Sequence, residues 1–136
     1  MPEKEIKVGI FGGSRGQTMA RVLAAHPDAE VTAICDQYRP MLERCRRVAV
    51  EAGASASVTC YEDFDCFLNH DMDAVVLANY CTDHAPYAVR LLDSGRHVVS
   101  EVVACQTMGE AVALVEAVER SGRVYAYAEN YSYFRG

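Results

Sequence analysis

Three glycines and one aspartate carry the clearest chemical signal in this sequence. Gly12, Gly13 and Gly16 follow the apolar run Ile6–Phe11 and open a helical stretch of about Arg15 to Ala25. Glycines at a strand end let the chain turn sharply and bring its N–H groups close to a phosphate, whose charge the positive end of a helix attracts. Asp36 closes the next apolar run, Glu30–Cys35, at the offset of about 20 residues that a dinucleotide-binding unit requires. A carboxylate at that point can accept two hydrogen bonds from an adenosine ribose. The spacing is G-G-x-x-G, one residue shorter than the usual G-x-G-x-x-G. The competing reading of Asp36 is a simple cap for the helix that begins near Arg39.

More chemistry-bearing residues fall after the later apolar runs. The run Ala74–Ala78 is apolar throughout and leads into Asn79-Tyr80-Cys81-Thr82-Asp83-His84. The run His97–Ser100 ends at Glu101, and Val124–Ala128 ends at Glu129-Asn130-Tyr131. In a parallel sheet all these turns share one edge, so Glu101, Tyr80, His84, Glu129 and Tyr131 are the acid–base candidates there. His84 has a plainer reading as a residue that caps or orients the following helix. His97 lies at the far edge and reads as structural, while His26, His70 and Asp71 read as solvated.

Composition narrows the classes. A chain of 136 residues is one domain, long enough to bury about two-thirds of its unfolded surface. A net charge of −6 argues against a nucleic-acid surface. No apolar run approaches the ~18 residues of a membrane span, and no signal peptide is evident. The six cysteines (Cys35, Cys45, Cys60, Cys66, Cys81, Cys105) form no C-x-x-C pair. They read as reduced packing residues of a cytoplasmic protein, and no metal site is expected.

The elements that must position these residues follow from periodicity. Helices are expected over about Arg15–Ala25 (apolar at Met19, Val22, Leu23) and Arg39–Ala52 (Met41, Cys45, Val48, Ala49, Ala52). A short one follows near Asp63–Asn69, then one ending at Asp93 (Ala85, Ala88, Val89, Leu92). The last opens with the capping box Thr107-x-x-Glu110 and presents Ala111, Leu114, Val115 and Val118. A short strand is expected at Ser57–Cys60. Six strands alternating with helices give an α/β fold: a doubly wound parallel six-stranded sheet of order 3-2-1-4-5-6.

With the motifs in place, the chain resembles the nucleotide-binding half of the glucose–fructose oxidoreductase/inositol dehydrogenase (Gfo/Idh/MocA) family. The resemblance rests on the glycine turn, Asp36, the His84 loop, Ser94-Gly95-Arg96-His97-Val98-Val99-Ser100-Glu101 and Ser121-Gly122-Arg123-Val124-Tyr125-Ala126-Tyr127-Ala128-Glu129-Asn130-Tyr131. It implies a dinucleotide-binding Rossmann domain over residues 1–130, with NAD as cofactor and NADP less favoured. The cofactor residues it implies are Gly12, Gly13, Ser14, Arg15, Gly16, Asp36, Ala78, Asn79, His84, Glu101 and Asn130. It implies a second α+β domain holding most of a sugar, cyclitol or polyol pocket. The expectation is that this chain holds only the first domain, with residues 131–136 beginning the link to a missing second one.

Dehydrogenases of the family carry Glu-Lys-Pro after the fifth strand, the lysine assisting proton transfer. Here Glu101-Val102-Val103 stands instead, and the only lysines are Lys4 and Lys7 at the opposite edge. Catalytic candidates are therefore open: Glu101, His84 or Tyr131. The leading expectation is the cofactor domain of such an oxidoreductase, incomplete as an enzyme by itself. The alternatives are an NAD-sensing regulatory protein and an NAD-dependent glycoside-cleaving relative. The uncharged sixth strand and the aromatic tail Tyr131, Tyr133, Phe134 lead us to expect a homodimer through that edge.

Overall fold

The computed structural model describes residues 5–135, so Lys4 and Gly136 lie outside the described residues. The strands are β1 (Ile6–Phe11), β2 (Ala29–Cys35), β3 (Thr59–Tyr61), β4 (Ala74–Leu77), β5 (His97–Ser100) and β6 (Tyr125–Tyr127). They form one parallel sheet in the order β3-β2-β1-β4-β5-β6. The helices are α1 (Gly13–Ala24), α2 (Arg39–Glu51), α3 (Phe64–Leu68), α4 (His84–Asp93) and α5 (Met108–Ser121). Two 3-10 turns, Cys81–Asp83 and Asn130–Tyr133, follow β4 and β6.

The near-continuous apolar strands work because side chains alternate between two covered faces. Ile10, Ile34 and Val76 join Ala20, Leu42, Cys45 and Ala49 beneath α1 and α2. Their neighbours Phe11, Cys35, Val75 and Leu77 join Phe64, Phe67, Leu91, Leu92, Leu114 and Ala117 on the face of α3, α4 and α5. The sheet thus has two cores, one per face. Each large side chain fully buried there stabilises the fold by about 1.5–3 kcal/mol relative to exposure.

The expected architecture holds, with local differences. Helix α1 starts at Gly13 rather than Arg15, because the shortened turn leaves Gly12 as the single residue between strand and helix. Its buried residues are Gly13, Gly16 and Ala20, while Val22 faces solvent. Close packing of α1 on the sheet thus relies on its small residues. In α2 the deeply buried stripe is Leu42, Cys45 and Ala49, one step round from the expected Met41 and Val48. In α5, Leu114 and Ala117 are buried and Val115 is exposed, since α5 packs on α4 along a narrow seam. The third strand runs Thr59–Tyr61, shifted from the expected Ser57–Cys60 by its register against β2. His70 is half-buried, hydrogen-bonded at 2.8 Å to the Tyr61 hydroxyl, rather than solvated. Asp71 is exposed and pairs with Lys7, which sits at the sheet's amino edge as expected.

What positions the functional edge is a row of backbone hydrogen bonds. The residue after a strand donates its N–H to the last carbonyl of a neighbouring strand. Gly12 donates to Cys35 O (2.9 Å), Asp36 to Tyr61 O (3.1 Å) and Ala78 to Phe11 O (2.8 Å). Glu101 donates to Leu77 O (2.9 Å) and Ala128 to Ser100 O (2.8 Å). These five residues are therefore fixed in one line along the carboxyl ends of the strands.

The cysteines divide into two groups. Cys35 and Cys45 are the buried packing residues expected; Cys60, Cys66 and Cys81 are exposed and Cys105 half-buried, so the packing reading fails for those four. Burial pushes the Cys35 and Cys45 thiols up to about 12, with nearby Asp36 contributing less. The thiolate is the reactive form. Alkylation of the native protein at pH 8 is therefore expected to label Cys81 and leave Cys35 and Cys45 unmodified until the chain is unfolded. Peptide mass mapping reads this, and labelling of Cys35 in the folded protein would contradict the packing described.

Candidate functional site

Gly12 is where the two halves of the sheet meet. Its φ of +101° is closed to ordinary L-residues, and a Cβ there would lie 2.4 Å from the backbone of Ala78 and Asn79. The turn therefore closes directly onto the end of β4. Gly16, one helical turn on, faces Ile10, whose Cγ2 would lie 2.5 Å from an added Cβ. That contact seats α1 flat on β1 and brings its first N–H groups to the sheet edge.

Between these parts opens a cavity of about 420 Å³, at the point where β1 and β4 diverge. That is where a doubly wound sheet binds its ligand, and the size is that of a small-molecule site. Phe11, Gly12, Ser14, Arg15, Asp36, Gln37, Ala78, Asn79, Tyr80 and Tyr87 line it. Of the expected cofactor residues, the structure brings Gly12, Ser14, Arg15, Asp36, Ala78 and Asn79 to this crevice. Gly13 and Gly16 are buried just behind it. His84, Glu101 and Asn130 are not in its lining.

Asp36 is held in place rather than free. Its Oδ2 accepts the Gly13 N–H at 2.6 Å and its Oδ1 accepts the Tyr38 N–H at 2.8 Å. It does not cap α2, whose N-cap is Tyr38 with no side-chain cap. Instead it ties the glycine turn to the start of the loop after β2. Each carboxylate oxygen keeps a further lone pair for a ligand hydroxyl. The Gly13 N–H, first in α1, is consumed by Asp36, so the Ser14 and Arg15 end of the helix is what faces the crevice.

The far wall is aromatic. Tyr87 of α4 packs edge-on against Phe11 with ring centroids 4.7 Å apart, and against Phe64 at 4.5 Å. Tyr80 is 76% exposed at the rim. Asn79 Oδ1 is buried with no hydrogen-bond partner among the described residues. Such an orphaned acceptor calls for an explanation, and a donor on a bound ligand supplies one. The sequence reading missed Tyr87, Gln37 and Phe11 as lining residues. Tyr87 had a signal, since it lies three residues after His84 and so on the inward side of the same helix.

His84 is 1% exposed, with Nδ1 2.9 Å from Val103 O and Nε2 3.2 Å from Asn79 O. It is thus held behind the crevice by two loop carbonyls and is not part of the crevice lining. Glu101 follows β5, half-buried, and the adjoining Val102–Val103 peptide is cis. Glu129 accepts the Tyr131 N–H at 2.9 Å, and Tyr131 and Asn130 are exposed beyond β6. Arg39 reaches Glu43 and Glu62 and lines a separate hollow beside β3. Among the described residues, no group of three or more His, Cys, Asp or Glu side chains could hold a metal ion. Among them, too, no helix is long and apolar enough to cross a membrane.

A glycine turn onto a switch-point crevice, with a carboxylate at the end of β2, defines a dinucleotide-binding domain of the Rossmann type. The chain belongs to the Gfo/Idh/MocA oxidoreductases: residues 6–129 match that family's NAD-binding Rossmann fold. It is 33% identical over 133 residues to a glycosyl hydrolase family 109 protein of Saccharopolyspora erythraea, covering 94% of this chain and 29% of the relative. A protein of the same description from Stenotrophomonas maltophilia is 29% identical, covering 97% and 31%. Among solved structures, GenD2 from gentamicin A biosynthesis, in complex with NAD, superposes with a TM-score of 0.82 at 26% identity, covering 96% and 36%. Scyllo-inositol dehydrogenase from Lactobacillus casei, with NAD(H) and scyllo-inositol, superposes at 0.80 with 21% identity, covering 96% and 38%; this likeness is one of fold. The chain spans less than a third of the length of these curated relatives.

Proposed function

We propose that this chain holds NAD across the β1/β4 crevice, as the cofactor domain of an oxidoreductase acting on a sugar, cyclitol or related polyol. The observation that carries the reading is the crevice itself, with Gly12 closed onto β4 and Asp36 fixed beside it. The adenosine ribose lies at Asp36, and the pyrophosphate at the Ser14–Arg15 end of α1. The Arg15 guanidinium, on the crevice wall, supplies positive charge where the shortened turn offers fewer free N–H groups. The nicotinamide half extends over β4 and β5, toward Asn79 and Glu101. The cofactor supplies hydride chemistry; the chain's own residues bind and orient it. Val102, where the family's dehydrogenases place lysine, has no proton to move, so any acid–base group must come from elsewhere.

A second reading has specific support. Several relatives are described as glycosyl hydrolase family 109 proteins. A parent that cleaves glycosides through transient oxidation by bound NAD uses the same crevice and tolerates a different acid–base group. Turnover of a glycoside against oxidation of a free polyol, by the longest natural form of the protein, separates the two.

For cofactor choice, Asp36 repels a 2′-phosphate and accepts hydrogen bonds from an unmodified ribose. A hydrogen bond to a charged group is worth about 1.5–3 kcal/mol. Arg39 is drawn toward Glu43 and Glu62, so Arg15 is the cation that faces the crevice. Calorimetric titration is expected to give NAD binding in the tens of micromolar, about −6 kcal/mol, with NADP weaker. The change Asp36→Asn is expected to narrow that difference. NADP binding more tightly than NAD, or no heat at millimolar NAD, would contradict the reading.

Association is a further part of the proposal. Strand β6 is the sheet's edge, Tyr127 is 45% exposed, and Tyr131, Tyr133 and Phe134 stand out beyond it. An uncharged edge flanked by exposed rings favours pairing of two copies. Light scattering at tens of micromolar is expected to show a dimer that Tyr127→Lys dissociates. A monomer mass unaffected by that change would dismiss this interface.

A further inference from the structure

His84 and Gln106 cross-link two loops that sequence separates and the sheet brings side by side. One loop follows β4 and contains Asn79–Asp83; the other follows β5 and contains residues 101–106. His84 reaches both, with Val103 O 2.9 Å from Nδ1 and Asn79 O 3.2 Å from Nε2. A neutral imidazole carries one N–H and donates to one carbonyl at a time. The shorter contact makes Val103 O the better acceptor. The second link is Gln106, whose Nε2 donates to Thr82 O at 2.7 Å. Gln106 is itself anchored, because Glu110, whose side chain also closes the capping box with Thr107 at the start of α5, accepts its backbone N–H at 2.7 Å. The tie therefore runs from the start of α4 to the start of α5, across the carboxyl ends of β4 and β5.

We infer that this clasp is a positioning device for the nicotinamide end of the dinucleotide, with His84 and Gln106 acting through the two loops they hold. The inference rests on the cofactor reading above. In a doubly wound sheet the adenosine half lies over β1 and β2 and the other half over β4 and β5. Asp36 and the glycine turn sit on the first half and are fixed by their own backbone bonds. Backbone bonds from Ala78 and Glu101 fix the roots of the second pair of loops, and Asp83 donates to Tyr80 O at 2.9 Å within the first of them. Beyond those roots, the loops meet through His84 and Gln106. Loosening them frees Tyr80 and the Glu101–Val103 segment while leaving the adenosine site intact.

The prediction is a split between two ligands that differ only in nicotinamide: NAD and ADP-ribose. Both are titrated calorimetrically into the native chain, His84→Ala and Gln106→Ala, with thermal unfolding recorded for each. Native protein is expected to bind NAD more tightly than ADP-ribose. His84→Ala is expected to weaken NAD about tenfold and ADP-ribose less than about twofold, with Gln106→Ala shifting the same way by about threefold. Gln106 is exposed, so its variant carries the test if His84→Ala does not fold. Equal loss for both ligands, no loss for either, or equal native affinities would overturn the clasp. Binding of neither ligand by the native chain would instead overturn the cofactor reading, and the clasp with it.

Discussion

The close approach of Gly12 to the backbone of Ala78 and Asn79 is the constraint on which the site depends. With φ at +101° and no room for a Cβ, only glycine joins β1 to α1 in one residue and still lets β4 pair alongside. That approach sets the depth of the crevice and the angle at which α1 leaves the sheet. It fixes the position of Asp36, which holds the next N–H in the turn at 2.6 Å. The row of backbone bonds from Gly12, Asp36, Ala78, Glu101 and Ala128 then carries this order along the whole edge. Polar geometry at the site is thus set by main-chain bonds, whose partners are obligatory, more than by side-chain packing.

Much of this was legible in the sequence because the signals were local. Near-continuous apolar runs separated by helix-length stretches specify a parallel sheet, and the capping box at Thr107 marks the start of α5 to the residue. Gly12, Asp36 and Ala78 could be placed because each sits directly after a strand, where only one edge is possible. The less legible features depend on distance in the chain. The spacing from His84 puts Tyr87 on the inward side of α4, but its reach into the crevice depends on packing against Phe11, far off in the chain. His84 reads in the sequence as an acid–base or cofactor candidate, or as a residue that orients α4, and its contact with Val103 O at 2.9 Å joins residues far apart in the chain.

The helix faces show the same limit differently. Val22 and Val115 fit an apolar period yet are exposed, because Gly16 and Ala117 provide the closer fit to their neighbours. Packing selected small residues where periodicity weighed only hydrophobicity. The cysteines divide for the same reason. Residue type alone places a thiol inside, but Cys60 lies on the short edge strand and Cys66 on the outer side of a five-residue helix.

NAD is proposed to occupy the β1/β4 crevice with its ribose at Asp36 and its pyrophosphate at the start of α1. A two-dimensional amide NMR titration of the labelled chain with NAD tests this most directly, because it reports residue by residue. The largest shifts are expected at Gly12–Gly16, at Asp36–Tyr38 and at Ala78–Tyr80, with smaller ones at Glu101–Val103. Shifts centred on the hollow beside β3, at Arg39, Cys60 and Cys66, or no shifts at millimolar NAD, would contradict it.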